Sequence, residues 1–325
     1  MRMRSNVRRG DGEGAAGLTR RSFLELAGSL PLAWAVTRHD RVFAAARPII
    51  ALQLYSVRRD CAQDFDATLD QVAAMGFAGV EFAGYYGYAD RPADLRKRLD
   101  ALGLKAAGTH VRMNVLQGDA LKKTLDFHTT IGCRFLVVPG DAAFTDPERS
   151  RVLADAFNEL AAVLKPLGMA CGYHNHTGEF RKDGDKTFWD LFAERTTADV
   201  ILQQDCGWTM AAGFDPAAYV RKYPGRTKTV HFKPTVRQGD EGRKAIFGQD
   251  SVDWKAVYEA CTTVGGTEVI VVEQEVYPDG KTPMECTRES LAGLKLMLQR
   301  SAISPQPSAR ARTPAALGGG HGPRA

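Results

Sequence analysis

Between residues 49 and 275, short runs rich in apolar and β-branched residues alternate with longer segments in which apolar residues recur every three or four positions. The runs are residues 49–57, 77–83, 104–111, 135–139, 169–176, 200–205, 229–233 and 269–275. Their length and composition predict strands, and the intervening periodicity predicts helices. The helical segments cover residues 65–75, 92–102, 120–131, 147–167, 186–194, 216–222, 254–263 and 283–298. Asp146-Pro147 and Asp215-Pro216 have the chemistry of helix N-termini, and Gly76, Gly103, Gly132 and Gly168 stand where helices should stop. A strand followed by a helix, repeated eight times, predicts an α/β fold, a (β/α)8 TIM barrel. The competing architecture is a doubly wound open sheet. Its nucleotide signature, G-x-G-x-x-G after the first strand, is replaced here by Gln53-Leu54-Tyr55-Ser56-Val57-Arg58.

Composition changes the picture mainly at the ends. The chain of 325 residues is 44% hydrophobic and 25% charged, which excludes a largely disordered or fibrous protein. Its net charge of +5 is carried by the termini: residues 1–46 and 300–325 each contribute +4, which leaves −3 for residues 47–299. A slightly acidic barrel argues against a nucleic-acid partner. In the first segment, Arg20-Arg21-Ser22-Phe23-Leu24 precedes a mildly apolar stretch and Ala44-Ala45-Ala46, the pattern of a twin-arginine signal, so residues 1–46 predict export to the periplasm. Residues 300–325, rich in Pro, Ala, Gly, Ser and Arg, predict a disordered basic tail. Nothing else approaches the ~18 apolar residues of a membrane span, so the mature chain is expected to have none. Six scattered cysteines without a C-x-x-C pair exclude a zinc finger or a thioredoxin-type motif.

In such a barrel the chemistry sits at the C-terminal strand ends. Polar and ionisable residues recur there: Gln53 and Tyr55, Glu81, His110 and Arg112, His174-Asn175-His176, Asp205, His231 and Lys233, and Glu273 and Glu275. Burying them unpaired would cost several kcal/mol each, roughly, and a metal ion would satisfy several at once. Mixed imidazole and carboxylate donors suit Mn, Co, Zn or Fe, and Mg less well.

These segments carry a resemblance. Gln53–Arg58, Gly79-Val80-Glu81-Phe82, Gly172-Tyr173-His174-Asn175-His176 with Glu179-Phe180, Asp205-Cys206-Gly207-Trp208, His231-Phe232-Lys233 and Val272-Glu273-Gln274-Glu275 resemble the xylose-isomerase-like TIM-barrel superfamily of sugar (phosphate) isomerases and epimerases. Gly248 and Val252-Asp253-Trp254 look like that family's loop before the last helix. The resemblance spans residues 49–299 and implies one divalent cation, Mn before Co, Zn, Fe or Mg, held by His174, Asp205, His231 and Glu273. His174 stands where many members have Glu, so a symmetric two-glutamate epimerase lacks one partner.

The resemblance further implies an isomerase or epimerase in which a base removes the proton next to a carbonyl and the cation stabilises the resulting enediolate. Glu273, His176 and Glu179 are candidate bases, and Lys233 is positioned to hold a substrate oxygen. Gln53, Glu81 and His110 are candidates for hydroxyl recognition, and Tyr55 and Trp208 for stacking on a sugar ring. The alternative is a lyase or hydratase acting on keto-sugars or keto-glycosides, as an inosose dehydratase does. More remote are a non-catalytic sugar-binding barrel and a relative of the apurinic endonucleases. The expected partner is a small carbohydrate, with a homo-oligomer implied by the family.

Overall fold

The computed structural model describes residues 47–303. The predicted export signal and nearly all of the predicted tail lie outside these residues. Eight parallel strands close into a barrel: β1 (Ile49–Gln53), β2 (Gly79–Phe82), β3 (Lys105–His110), β4 (Phe135–Val138), β5 (Ala170–His174), β6 (Ile201–Asp205), β7 (Thr229–Phe232) and β8 (Val269–Val272). Spatial order follows chain order, and β1 completes the ring by pairing with β8, Ile49 opposite Val269 and Leu52 opposite Val272. The outer layer contains α1 (Phe65–Met75), α2 (Pro92–Leu102), α3 (Gly118–Ile131), α4 (Arg149–Leu164), α5 (Phe188–Arg195), α6 (Pro216–Lys222), α7 (Trp254–Ala260) and α8 (Pro283–Ile303).

Local chemistry explains where these elements begin and end. Asp64 caps α1 by accepting the Ala67 N–H at 2.9 Å, and Asp253 caps α7 through Ala256 at 3.0 Å. Gly76 (φ 87°) and Gly132 (φ 74°) end α1 and α3 in the left-handed conformation that a side chain resists. The strands are shorter than the apolar runs suggest. β1 stops at Gln53 because its side-chain oxygen accepts the Tyr55 N–H at 3.1 Å and starts a 3₁₀ turn over Leu54–Val57. A short helix, Cys206–Ala211, begins directly after β6 with Asp205 as its cap, and residues 182–187 form a small antiparallel hairpin. Neither was expected from periodicity, since both are too short to show one.

The barrel is filled below and polar above. Ala51, Ala107, Phe135, Ile201, Val269 and Val271 pack together in its lower half. Burial of the Phe135 side chain alone is worth roughly 1.5–3 kcal/mol. Outer strand faces pack on the helices, with Tyr173, Phe157, Trp189 and Phe192 on one side and Phe232, Phe247 and Trp254 on the other. All six cysteines are free and buried. No helix among the described residues is long and apolar enough to cross a membrane.

The buried Arg226, just ahead of β7, ties the end of α5 to the start of β6. It donates to the carbonyls of Ala193 at 2.6 Å and Val200 at 2.8 and 3.0 Å, and to the Thr196 hydroxyl at 2.7 Å. Arg226→Met leaves these acceptors buried without donors and should lower unfolding stability by roughly 3 kcal/mol, read by thermal or urea denaturation. An unchanged midpoint would contradict this role.

Candidate metal centre

Strand alternation aims every second side chain into the barrel. On β6 these are Gln203 and Asp205, on β7 Thr229 and His231, and on β5 His174, linked in a chain of contacts from Thr229 through Gln203, His174 and Asp205 to His231. β3 needs a correction to join them. Counting in twos from Ala107 in the lower core would place Thr109 inside and His110 outside. A register shift between Val80 and Glu81, which pairs Val80 with Ala106 and Glu81 with Gly108, re-aims the strand. Thr109 then bonds Tyr85 Oη at 2.6 Å, while His110 Nε2 reaches Gln203 Oε1 at 2.8 Å. Gly108 leaves room for this arrangement, because a Cβ there would lie 2.7 Å from Glu81 Oε1.

His174, Asp205, His231 and the buried Glu273, immediately after β8, bring one ligand atom each within 4.8 Å of all the others. His231 Nδ1 lies 2.7 Å from Glu273 Oε2 and 3.9 Å from Asp205 Oδ2, and His174 Nε2 lies 3.8 Å from Asp205 Oδ2. Beneath them Glu81, fully buried, takes Gln53 Nε2 and Gln203 Nε2 at 2.7 Å each and His231 Nε2 at 2.5 Å.

The electrostatics of this cluster are strained in a particular way. Burial would push the Glu81 carboxyl up, but His110 and His231 outweigh it and hold it ionised. Burial would likewise lower His231, yet Glu81 and Glu273 push it up to about 10. Glu273 is held below the usual carboxylate range by His231 and Lys233 despite its burial. Burial pushes Asp205 up to about 7, with Lys233 opposing the shift and Glu273 adding to it. Asp205 Oδ2 is a buried oxygen with no hydrogen-bond partner. An unpartnered carboxylate oxygen facing two imidazoles and a second carboxylate is what a divalent cation would satisfy, and the donor set fits one.

A family model described as a xylose isomerase-like TIM barrel matches residues 69–297. The chain belongs to that family. The inosose dehydratase of Lacticaseibacillus casei is 26% identical to it over a 261-residue alignment that covers 68% of this chain and 85% of that protein. A solved sugar phosphate isomerase/epimerase from Parabacteroides distasonis is 27% identical with a TM-score of 0.64, covering 76% of this chain and 97% of the other. An L-ribulose 3-epimerase, 17% identical with a TM-score of 0.59 over 82% of this chain and 100% of its own, shares the fold.

Within this xylose isomerase-like barrel the residues singled out from sequence fall into three groups. His174, Asp205, His231 and Glu273 converge. Lys233, His176 and Trp208 form a second layer: Lys233 Nζ pairs with the Glu275 carboxylate and lies 4.0 Å from the centre of the Trp208 ring, and His176 sits 5.6 Å from Trp208 and 5.0 Å from His174, ring centre to ring centre. His176 is pushed down to about 4 by burial and by Lys233, so its ring is neutral at ordinary pH.

The other candidates are placed differently. Glu179 does not join the cluster: its two oxygens accept the His176 N–H at 2.8 Å and the Tyr173 hydroxyl at 3.3 Å, which fastens the loop after β5. Tyr55 is 42% exposed and packs against the Arg58 guanidinium at 4.1 Å. Gln53 and Glu81 are fully buried and bonded to each other, beneath the four donors. Gln203 was missed. Its signal was its place two residues before Asp205 on the inward face of a strand, where an amide is unexpected unless it has partners.

Asp205→Asn removes the buried, unpartnered charge. The metal-free variant should melt no lower than wild type while losing its divalent cation, measured by denaturation beside metal analysis. A lower melting point with metal retained would contradict this assignment.

Proposed function

We propose that this barrel is a metal-dependent lyase acting on a polyhydroxylated ketone, a keto-sugar or keto-cyclitol, from which it eliminates water or an alcohol. The observation that carries this reading is the asymmetry of the centre. Glu273 has no carboxylate opposite it on β5, since His174 occupies that position, and Glu81 is consumed by its own hydrogen bonds. Epimerisation by two carboxylates on opposite faces therefore lacks its second group. The name inosose dehydratase carried by curated relatives supports the same direction.

His174, Asp205, His231 and Glu273 would hold the cation, Mn²⁺ by the balance of imidazole and carboxylate donors. When bound, it supplies a Lewis acid that acidifies the C–H next to a carbonyl. His176 then takes that proton at its ring nitrogen. The electron pair forms a C=C bond, the C–O bond one carbon further breaks, and the departing oxygen takes a proton from the Lys233 ammonium, leaving as water or alcohol. Trp208 lies against Lys233 and offers a face to the ring of the substrate. Residues 1–46 complete the reading as a twin-arginine signal that places this chemistry outside the cytoplasm, which cleavage and periplasmic recovery of the expressed chain would test.

A second reading, isomerisation or epimerisation, is favoured by the likeness to the solved sugar phosphate isomerase/epimerase. The two separate in deuterated water with a panel of keto-sugars, keto-glycosides and inososes. The lyase produces an unsaturated ketone with loss of water or alcohol. Substrate or isomer that carries deuterium and has lost nothing would overturn the lyase assignment. With the active substrate in hand, His176→Gln and Lys233→Met should each lower kcat by roughly 10²–10⁴-fold while Mn²⁺ binding persists. Full activity in both variants would remove these residues from the mechanism.

A further inference from the structure

Two groups of side chains at the top of the barrel are close enough to hold a cation: His110, His174 and His231, or His174, Asp205, His231 and Glu273. Distance does not choose between them. Proton positions do, and a single amide controls them. Gln203 is fully buried, and its Nε2 donates to Glu81 Oε1 at 2.7 Å and also to the Thr229 hydroxyl. A carboxylate oxygen can only accept when ionised, so the amide cannot be turned around without setting two acceptors against each other. Oε1 must therefore face the histidines, where it lies 3.0 Å from His174 Nδ1 and 2.8 Å from His110 Nε2.

An amide oxygen only accepts, so both imidazole nitrogens turned toward it carry hydrogen. For His174 this leaves Nε2 as a bare lone pair facing Asp205 Oδ2. For His110 it places a hydrogen on the nitrogen that faces the cluster, where Glu81 Oε2 lies a further 3.3 Å away. His231 is set independently of Gln203, because both its nitrogens face carboxylates, Nε2 that of Glu81 and Nδ1 that of Glu273 with Asp205 beyond, and it would give up the Nδ1 hydrogen where a cation takes that place. We propose that Gln203 is a positioning residue that fixes the tautomers of His174 and His110 together, making His174 a metal ligand and His110 a hydrogen-bond donor held outside the metal's shell.

This inference rests on the metal reading of the site, and the test separates the two. Mn²⁺ is titrated calorimetrically into metal-free, full-length wild type, Gln203→Met, Gln203→Glu and Asp205→Asn. Histidine ¹⁵N spectra of the metal-free proteins report the tautomers. Wild type should show His174 as the Nδ1–H form. Gln203→Met, which cannot accept, should lose that preference and bind Mn²⁺ about 10–100-fold more weakly. Gln203→Glu keeps an acceptor for both rings; with its other oxygen protonated toward Glu81 in place of the amide nitrogen, it should retain the His174 tautomer with a smaller loss of affinity. A wild-type His174 protonated at Nε2, or a folded Gln203→Met with wild-type affinity, overturns the role of Gln203 while leaving the metal site intact. Unchanged Mn²⁺ binding in Asp205→Asn overturns the metal reading itself. If Gln203→Met does not fold, the wild-type spectrum decides alone.

Discussion

Three carboxylates and three imidazoles share the closed upper half of this barrel, and their mutual neutralisation is the constraint on which the rest of the site depends. Glu81 lies at the bottom of the group, fully buried, with four side-chain donors around its two oxygens. An isolated ion at that depth would be destabilising by several kcal/mol, roughly, so it must be surrounded by donors, and those donors are the side chains that orient the layer above. His231 hangs between Glu81 and Glu273, and Gln203 between Glu81 and the other two histidines. Within this group Asp205 Oδ2 is a fully buried oxygen left without a hydrogen-bond partner. The cluster leaves that oxygen facing its remaining donors, His174, His231 and Glu273.

The scaffold makes this arrangement possible through small local devices. A bulge in β3 turns His110 inward, Gly108 leaves space for Glu81, and the capping of a short helix by Asp205 Oδ1 keeps its other oxygen free. The second layer of His176, Lys233, Trp208 and Glu275 stands above this core and carries the groups able to move protons. A division between a rigid, self-bonded base and a working rim fits an enzyme that must hold a cation firmly and exchange its substrate.

The fold was legible because the apolar runs repeat eight times with helix caps or terminal glycines between several of them, and α1, α2 and α6 begin and end where periodicity and Asp-Pro or Gly punctuation place them. The strand ends were overestimated. At β1 and β8 the apolar or polar alternation continues beyond the ladder, and only a side-chain cap such as Gln53 or the need to turn over the barrel rim ends the strand. The four converging donors were suggested by the resemblance of their motifs, and the barrel brings them together. A Glu three residues after a His, as Glu179 is, reads equally well as a base or as a clamp on that residue's N–H, and its oxygens take up the His176 N–H. Gln203 escaped notice because amides carry no charge, and its importance lies wholly in which partners surround it. The bulge in β3 leaves no mark in composition at all, since it depends on which of Ala107 and Gly108 the neighbouring strand takes as its partner.

If the proposed centre is right, Asp205 Oδ2 faces a cation shared with His174, His231 and Glu273. Anomalous diffraction at the manganese edge from crystals grown with Mn²⁺ tests it most directly. One strong peak is expected, bounded by His174 Nε2, Asp205 Oδ2, His231 Nδ1 and the Glu273 carboxylate, with His110 outside its coordination shell. A peak ligated by His110, or manganese bound only away from the barrel mouth, would contradict it.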